Sequence, residues 1–527
     1  MIRDLSASDD ARLTEKCAVC VIGGGIAGLI AASRLNASGR RVIVLESGDR
    51  RPIGRFDAFN AIHQVGDTYQ NAIAGRVRAL GGTSNTWGGR IMPLTPHDVA
   101  RRDYLGLSGW PIKKADLDRF LPEIERLFLL EPGSYEELPL SQARRTNLLE
   151  AGQRDMTSRW SKWPTFRRRN VAHLLREMVA IKRNPEIWLN ATVCDLSFDT
   201  DAGRLTAVQA RSINGRRLTV AANWFVLAAG TFETTRLLLQ LDALTNGRAF
   251  SGCDALGRYF SDHLKIEAGR IERLDRRRTN FAFGYHIGGS TRRGLHLETT
   301  ASAQREDQAA SGYITIRAEF QPLSIHHYVR NLGKSVQARR FPELVPKGEI
   351  VRDAGSLGRA LYWRVRHKQM YFSPAMDLFV DARIEQTPSA LSRLTLSSHR
   401  DDLGAPMLQM DWRKTALDGR TLRSVLLRAR RFWRSTGLDA TSPVGWSVDP
   451  DQDDLIERAI DTRHPAGTAR MGIDPRTSVV DPRLACHAAP NIFVASAAVF
   501  PASGSANPTL TIMQIACQAA ESVMAAR

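Results

Sequence analysis

Three glycines at a characteristic spacing carry the clearest chemistry in the sequence. Gly23-Gly24-Gly25-Ile26-Ala27-Gly28 has the pattern G-x-G-x-x-G. Its first glycine allows a tight turn, its second lets backbone approach a pyrophosphate, and its third lets a helix pack closely on a strand. Glu46 lies 18 residues beyond Gly28, where an acidic side chain can bind the ribose hydroxyls of an adenine dinucleotide. The residues predicted to bind such a cofactor, either FAD or NAD, are Gly23, Gly25, Ile26, Ala27, Gly28 and Glu46.

The elements that must position this loop flank it on both sides. Residues 18–22 form an apolar run typical of a strand buried on both faces of a parallel sheet. Residues 29–35 have helical composition, and residues 41–45 predict a second strand that ends at Glu46. The sequence therefore predicts a βαβ unit around the glycine loop.

Two further segments predict a close approach of backbone to a ligand. Residues 76–90 contain two pairs of glycines among small polar side chains. Residues 224–231 predict a buried strand that runs into a small-residue turn, and residues 233–239 have helical composition. A third strand is predicted to begin at residues 191–193.

With these segments and others near the C-terminus, the sequence resembles the glucose-methanol-choline (GMC) family of FAD oxidoreductases over most of its length. The motifs that carry the resemblance are the glycine loop with Glu46 and the segments 81–89, 108–112, 228–239, 257–263, 463–472, 479–481, 491–496 and 505–511. It implies an α/β fold, in which a Rossmann-like FAD-binding domain holds an inserted α+β substrate domain with an antiparallel sheet. We expect the FAD-binding domain at 14–90, 186–263 and 451–527, and the substrate-binding and covering domain at 91–185 and 264–450.

The resemblance also implies which residues contact FAD. To those of the glycine loop it adds Gly82, Ser84, Asn85, Thr86, Val193, Ala229, Ser496, Pro508 and Thr509. In the family, the residue at Val193 contacts the adenine through its backbone. Some members attach FAD covalently through a histidine beside the loop tryptophan. Because Thr86 stands at that position, FAD is expected to be non-covalent.

Oxidation of an alcohol requires a base for the hydroxyl proton. Histidine suits this role because its pKa lies near neutrality. His464 matches the catalytic histidine of the family, and Asn507 matches a second position that holds histidine or asparagine. His263 and His487, near other family motifs, are expected to be structural or to support the site.

Asn507 also begins a predicted helix, with asparagine at the cap and Pro508 at the first helical position. The positive end of that helix would stabilise negative charge on a reduced flavin. Residues 379–386 and 392–396 predict adjacent strands that floor the substrate cavity.

The function that the resemblance implies is oxidation of a CH-OH group by hydride transfer to flavin N5. A bacterial branch that acts on sugars, glycosides or related polyols is favoured. O2 and a separate electron acceptor both remain open, as does the choice between oxidase and dehydrogenase. Alternatives are an FAD-retaining lyase, similar to hydroxynitrile lyases or decarboxylases, and an oxidoreductase of aromatic or aliphatic alcohols. A binding protein with vestigial FAD is disfavoured because both His464 and Asn507 are present.

Composition limits the partners. The formal net charge is +18, from 73 Lys and Arg against 55 Asp and Glu, but the arginine runs are short and scattered, which favours a solvated surface over nucleic-acid binding. Six cysteines form no disulfide framework or metal-ligand set. The uncharged stretch 17–33 is shorter than a membrane span. We therefore expect a soluble cytoplasmic protein without a metal site.

Overall fold

Three β-sheets form the frame of the chain in a computed structural model, which describes residues 1–138, 154–178, 185–320, 325–339, 341 and 354–526. The first sheet is mainly parallel, the second is antiparallel, and the third is a small mixed sheet of three strands. The predicted fold class, a Rossmann-like unit combined with an antiparallel substrate sheet, is confirmed.

The parallel sheet contains the glycine loop. Strand Arg12–Ile22 pairs in parallel with Val42–Leu45 on one side and with Arg217–Leu227 on the other. Between the first two strands, helix Ile26–Ala37 packs against the C-terminal helix Thr509–Ala525. This arrangement confirms the predicted βαβ unit. The other strands of the sheet are Ile2–Asp4, Glu186–Leu189, Thr192–Asp199, Arg204–Arg211, Ala485–Cys486 and Ala489–Val494.

The antiparallel sheet has eight strands, and each adjacent pair runs in opposite directions. Met376–Glu385 lies at its centre, between His263–Ile271 and Gly312–Phe320. Because these neighbours cover it on both sides, its carboxyl end, at Glu385, is buried. The remaining strands are Met156–Trp163, His286–Gly288, Thr291–Thr299, Val444–Trp446 and Ile460–Asp461.

The small sheet corrects one prediction. Residues 379–386 and 392–396 were expected in adjacent strands, but Arg393–Arg400 forms a hairpin with Pro406–Trp412, which in turn pairs in parallel with Ile62–Gly66. The edges of Met376–Glu385 are already taken by its two neighbours. The chain therefore leaves the sheet after Glu385.

Helices cover the sheets. Gly230–Leu244 follows directly on strand Arg217–Leu227, as predicted, and Ala416–Ser435 packs on the antiparallel sheet. No helix in the described ranges is long and apolar enough to cross a membrane. The other α-helices are Pro96–Val99, Lys114–Asp118, Leu121–Leu127, Phe166–Arg169, Val171–Met178, Arg276–Phe283, Ala301–Glu306, Ile325–Ala338 and Ala354–His367. Short 3-10 helices are Leu5–Ala7, Gly54–Asn60, Gly82–Asn85, Asp103–Leu105, Leu438–Ala440 and Ala497–Val499.

Close packing explains two glycines of the loop. Gly23 has φ of +107°, and a Cβ atom there would lie 2.5 Å from the carbonyl oxygen of Ala228. A Cβ atom on Gly28 would lie 1.8 Å from the carbonyl oxygen of Gly23. Because both obstacles are backbone atoms, a side chain at either position would displace the loop or the first helix.

Replacement of Gly28 tests this packing. We expect Gly28→Ala to lower the free energy of unfolding by about 2–3 kcal/mol, since the added methyl group overpacks a backbone contact. Gly358→Ala, in an exposed helix with open space around the Cβ position, serves as the control and should raise stability by up to about 1 kcal/mol. Chemical denaturation followed by circular dichroism measures both. Equal effects of the two substitutions would contradict this account.

Candidate active site

One cavity, with a volume of about 400 Å³, is lined by both glycine-rich segments and by the C-terminal segment. Its wall includes His464 and Asn507 together with most of the residues predicted to contact the cofactor. Those are Gly23, Gly25, Ile26, Ala27, Glu46, Gly82, Thr86, Val193, Ala229, Ser496, Pro508 and Thr509. The fold thus brings together residues that are far apart in the chain.

The glycine loop fits a pyrophosphate. A Cβ atom on Gly25 would meet only the Cα of Gly82, at 3.9 Å, so this backbone faces open space. Gly25 is also the N-cap of helix Ile26–Ala37, and its position carries no side-chain cap. The first N–H groups of that helix are therefore available to an anion, and the helix dipole favours negative charge there.

Glu46 is placed to bind hydroxyl groups. Its two carboxylate oxygens each accept one backbone hydrogen bond of 2.8 Å, from Gly24 and from Gly48. Burial raises the pKa of Glu46 to about 7, while the two N–H groups and the charge of Arg78 oppose the rise. Each oxygen retains a lone pair for a ribose hydroxyl, so the residue fits the adenosine half of FAD.

Four predicted contacts differ in detail. Gly28 lies outside the cavity wall, because it packs against the carbonyl group of Gly23. The side chains of Ser84 and Asn85 lie outside the cavity wall, because they bond the carbonyl groups of Gly81, Leu80 and Gly82 within their own loop. The carbonyl group of Val193 accepts a hydrogen bond of 3.0 Å from Arg236. Val193 lines the cavity, but its carbonyl is already engaged by protein.

Two histidines and an asparagine form a continuous hydrogen-bond chain. Nε2 of His263 lies 2.6 Å from the carbonyl oxygen of Gly504, and the Nδ1 atoms of His263 and His464 lie 2.9 Å apart. At the other side of the His464 ring, Nε2 lies 3.1 Å from Nδ2 of Asn507. The chain begins at a buried carbonyl and ends in the cavity.

These hydrogen bonds define which ring nitrogens of the two histidines carry protons. A carbonyl oxygen can only accept, so His263 carries its proton on Nε2 and presents a bare Nδ1. His464 must then donate from its own Nδ1, which leaves its Nε2 bare and accepting from Asn507. His464 thus presents a free base to the cavity, at the atom next to Asn507.

Asp262 holds the backbone of both histidines. Its carboxylate accepts from the N–H of His464 at 2.8 Å and from the N–H of His263 at 2.6 Å, and it also accepts from the hydroxyl of Tyr69. Burial raises the pKa of Asp262 to about 7, and Asp461 adds to the rise, while these donors oppose it. One side chain therefore aligns two segments 201 residues apart.

A buried ion pair holds the loop of Gly504, at which the hydrogen-bond chain begins. Glu385 accepts from both Nη atoms of Arg102, at 2.6 and 2.9 Å, and from the N–H of Gly504 at 2.8 Å. Against the cost of burial, these contacts hold the pKa of Glu385 below its ordinary value. Gly504 has φ of +61°, and a Cβ atom there would lie 2.4 Å from the carboxyl carbon of Asp98. The loop before Asn507 is thus tied to the antiparallel sheet.

The environment keeps His464 neutral. Burial lowers the pKa of His464 well below 6.5, and the cations Arg383 and Arg90, together with the adjacent titratable ring of His263, lower it further. A neutral imidazole at physiological pH can accept a proton from a substrate hydroxyl.

The C-terminal helix corrects the predicted cap. It begins at Thr509, its N-cap is Pro508 with helical φ and ψ, and Asn507 makes no capping hydrogen bond. The Asn507 side chain turns instead to His464 and leaves its Oδ1 buried without a hydrogen-bond partner in the described structure. Asn507 is therefore free to bond a substrate oxygen through its amide group.

Sequence motifs point to His464 and Asn507, but they do not reveal that His263 lies between Gly504 and His464. The motif that contains His263 was recognised, yet its partner lies 201 residues away. His487 takes no part in the chain, since its Nε2 bonds the hydroxyl of Ser478 at 3.1 Å. Arg90, which also lines the cavity, had no signal beyond its place next to the glycine pair 88–89.

Known proteins share both the fold and the C-terminal segment of this chain. The family model described as GMC oxidoreductase matches residues 388–516, and an NAD(P)-binding Rossmann-like domain matches residues 21–68. The chain is 23% identical to 6'''-hydroxyparomomycin C oxidase from Streptomyces lividus, over 96% of the chain and 91% of that protein. Residues 388–516 therefore belong to the GMC oxidoreductase family.

Two further comparisons bear on this chain. Paromamine 6'-oxidase from Streptomyces fradiae is 32% identical over 148 residues, which are 28% of the chain and 26% of that protein. The crystal structure of pyridoxine 4-oxidase from Mesorbium loti superposes with a TM-score of 0.58 at 17% identity, over 97% of this chain and 100% of the other. All three of these relatives are named as oxidases, in agreement with the oxidoreductase activity that the resemblance implied.

The proton positions on His464 can be measured directly. We expect nitrogen-15 NMR of histidine-labelled protein to show His464 neutral, with its proton on Nδ1, at pH 7 and still at pH 6.5, because burial and nearby cations disfavour its charged form. In His263→Ala the imidazole acceptor at Nδ1 is lost. The hydroxyl of Thr462, 3.0 Å from Nδ1, can donate as well as accept, so the ring should populate both tautomers. The spectrum of His464→Ala assigns the signals. A His464 ring that titrates near 6.5 in the wild type would refute the neutral chain.

Proposed function

We propose that this GMC oxidoreductase oxidises a CH-OH group with His464 as the general base. The observation that carries the proposal is the bare Nε2 atom of His464, held beside Asn507 in the wall of the cavity that the glycine loops also line. Bound FAD supplies the hydride acceptor. The chain itself must then bind the alcohol, orient its carbinol carbon and remove one proton.

The residues divide this work. Nε2 of His464 takes the hydroxyl proton, and an Nδ2 hydrogen of Asn507 bonds the same oxygen as negative charge develops on it. His263 keeps the proton of the His464 ring on Nδ1, so that Nε2 stays available. Because no partner of Oδ1 restrains the Asn507 amide in the described structure, the side chain can shift from His464 to the substrate.

We propose a sugar, glycoside or related polyol as the substrate class. The names of the two oxidases from Streptomyces support it, as does the expected bacterial, sugar-active branch. O2 and a separate electron carrier remain as alternative acceptors. A cytoplasmic location is proposed from the six cysteines, which are all free. The domain limits 14–90, 186–263 and 451–527 against 91–185 and 264–450 are likewise proposed.

Replacement of His464 tests the base. We expect His464→Ala to retain FAD but to slow anaerobic flavin reduction by a substrate sugar by about 10²–10⁴-fold, since the general base is lost. His487→Ala, which removes a histidine outside the hydrogen-bond chain, should leave the rate unchanged. Stopped-flow absorbance of the flavin gives both rates. Equal rates in wild type and His464→Ala would remove His464 from the mechanism.

The same absorbance separates the alternatives. An alcohol that bleaches the visible flavin band identifies an oxidoreductase, whereas a lyase of the same fold would turn over without bleaching. A screen of sugars, glycosides, polyols and aromatic alcohols without oxygen distinguishes the substrate classes. Admission of air then distinguishes an oxidase, which reoxidises promptly, from a dehydrogenase.

We propose that FAD is held without a covalent bond. Thr86, on the cavity wall at the position where some relatives carry a linking histidine, has a hydroxyl that cannot form that linkage. We expect acid precipitation to release the flavin into the supernatant, where its absorbance is measured. Flavin that remains with the precipitated protein would contradict the proposal.

A further inference from the structure

Two arginine side chains flank the ring of Trp163 near the cavity. The guanidinium carbon of Arg90 lies 5.0 Å from the Trp163 ring centre, and that of Arg292 lies 4.9 Å from the same centre. Arg292 also lies 4.5 Å from the ring centre of Tyr285. We call Arg90 and Arg292 the arginine pair.

Backbone pairing places both arginines. Ile91 exchanges two backbone hydrogen bonds with Lys162, at 2.8 and 3.0 Å, which sets Arg90 beside the end of strand Met156–Trp163. In the next strand Arg292 stands opposite Trp163. Backbone pairing in the sheet therefore sets the positions of both arginines.

Neither guanidinium has a carboxylate partner among the described residues. Nη1 of Arg90 and Nε of Arg292 are buried without a hydrogen bond. Burial lowers the pKa of both groups. The strongest charges acting on them come from tyrosines and other arginines, namely Tyr285, Tyr313, Arg292, Arg330 and Arg383. Two cations thus share one aromatic ring in a poorly solvated place.

Three other buried arginines of this chain are neutralised by acids. Arg102 is paired with Glu385 at 2.6 Å, Arg159 with Glu298 at 2.9 Å, and Arg428 with Asp307 at 2.7 Å. The buried Arg169, whose pKa is lowered by burial and by the charge of Arg292, also lacks a carboxylate partner among the described residues. Because an unpaired buried charge is costly, the arginine pair and Arg169 differ from the three neutralised arginines. Contacts with aromatic faces offset only part of that cost.

Asp381 does not fill this gap. It accepts from Arg383 at 3.2 Å and from Arg317 at 3.2 Å, so it is shared between two other cations. Arg383 in turn lowers the pKa of both Arg90 and His464. Asp381 therefore leaves the arginine pair without a carboxylate partner.

One member of the arginine pair reaches the proposed site, whereas Arg292 lies behind it, outside the cavity lining. Arg90 lines the same cavity as His464 and Asn507, and its charge is close enough to lower the pKa of His464. A guanidinium held by an aromatic face keeps its N–H edge free, and that edge matches the oxygens of a carboxylate or phosphate.

We propose that Arg90 and Arg292 form a subsite for an anionic group on the alcohol substrate, a carboxylate or a phosphate ester. The substrate class is then an acidic sugar, a sugar phosphate or a related hydroxy acid. The oxidation of such a compound rests on the proposed function, whereas its binding does not. An amino sugar of similar size, which carries positive charge, is repelled by the same subsite.

Binding can be measured without turnover. Isothermal titration of the FAD-loaded enzyme uses cyclohexanecarboxylate and inorganic phosphate as anions, and cyclohexanecarboxamide and cyclohexylammonium as neutral and cationic counterparts. We expect at least one anion to bind ten times or more as tightly as the carboxamide, and the ammonium to bind more weakly still. Anions that bind no more tightly than the carboxamide would overturn the subsite, and this comparison needs no variant.

Substitutions test whether the preference for anions comes from the arginine pair. Arg90→Met and Arg292→Met keep an unbranched apolar stem but remove the charge, and each should reduce the anion preference to threefold or less. Arg276→Met removes an exposed arginine outside the cavity and should leave the preference unchanged. FAD content and circular dichroism verify that each variant is folded. An equal loss in all three variants would show a general charge effect and would overturn the assignment to the arginine pair.

Flavin reduction separates the two proposals. A neutral hexose, its uronic acid, its 6-phosphate and its amino sugar are compared without oxygen, and we expect half-saturation at a concentration at least tenfold lower for one of the two anions than for the hexose. If no alcohol reduces the flavin but anion binding still depends on the pair, the proposed oxidation fails and the subsite stands. If the neutral sugar reduces the flavin as readily as both anions, the subsite fails and the oxidation stands.

Discussion

A hydrogen bond between two neutral imidazoles, at Nδ1 of His263 and Nδ1 of His464, is the contact on which the site depends. In this bond His464 donates and His263 accepts, because His263 carries its proton on Nε2, 2.6 Å from the carbonyl oxygen of Gly504. That carbonyl belongs to a loop whose N–H is held by Glu385, at the carboxyl end of a central strand. The proton position on one ring thus follows from the registry of the antiparallel sheet with the C-terminal segment.

The need to hold both histidines and the loop of Gly504 in place explains the charges around the site. Asp262 receives the backbone N–H groups of both histidines, and Arg102 neutralises Glu385. These ionic groups are satisfied by protein, so they act as fixed supports and leave the histidines neutral. Arg90 and Arg292 are the opposite case, because no acid in the described ranges pairs with them. Buried charges that are paired within the protein stabilise the fold. Two unpaired cations beside a cavity instead favour a ligand that carries negative charge.

Two halves of the cavity place different demands on the backbone. The glycine loop needs open backbone at Gly25 and tight packing at Gly23 and Gly28, and both follow from local geometry. The histidine side needs long-range contacts, since its members come from segments hundreds of residues apart. Substitutions at the glycines therefore act on cofactor binding and stability, while substitutions in the hydrogen-bond chain act on proton positions.

The sequence by itself determined the βαβ unit, the glycine loop with Glu46, and the identity of His464 and Asn507, because these depend on spacing within short segments and on motifs. It did not determine the partners of strands 376–385 and 393–400, since any exposed strand edge can accept a pattern of alternating side chains. It also misplaced the helix start, because Asn507 is a good cap by type but its side chain finds a stronger partner in His464. Only the tertiary structure decided the role of His263 and the isolation of Arg90 from acids, because both are properties of what lies opposite a side chain and not of the residue itself.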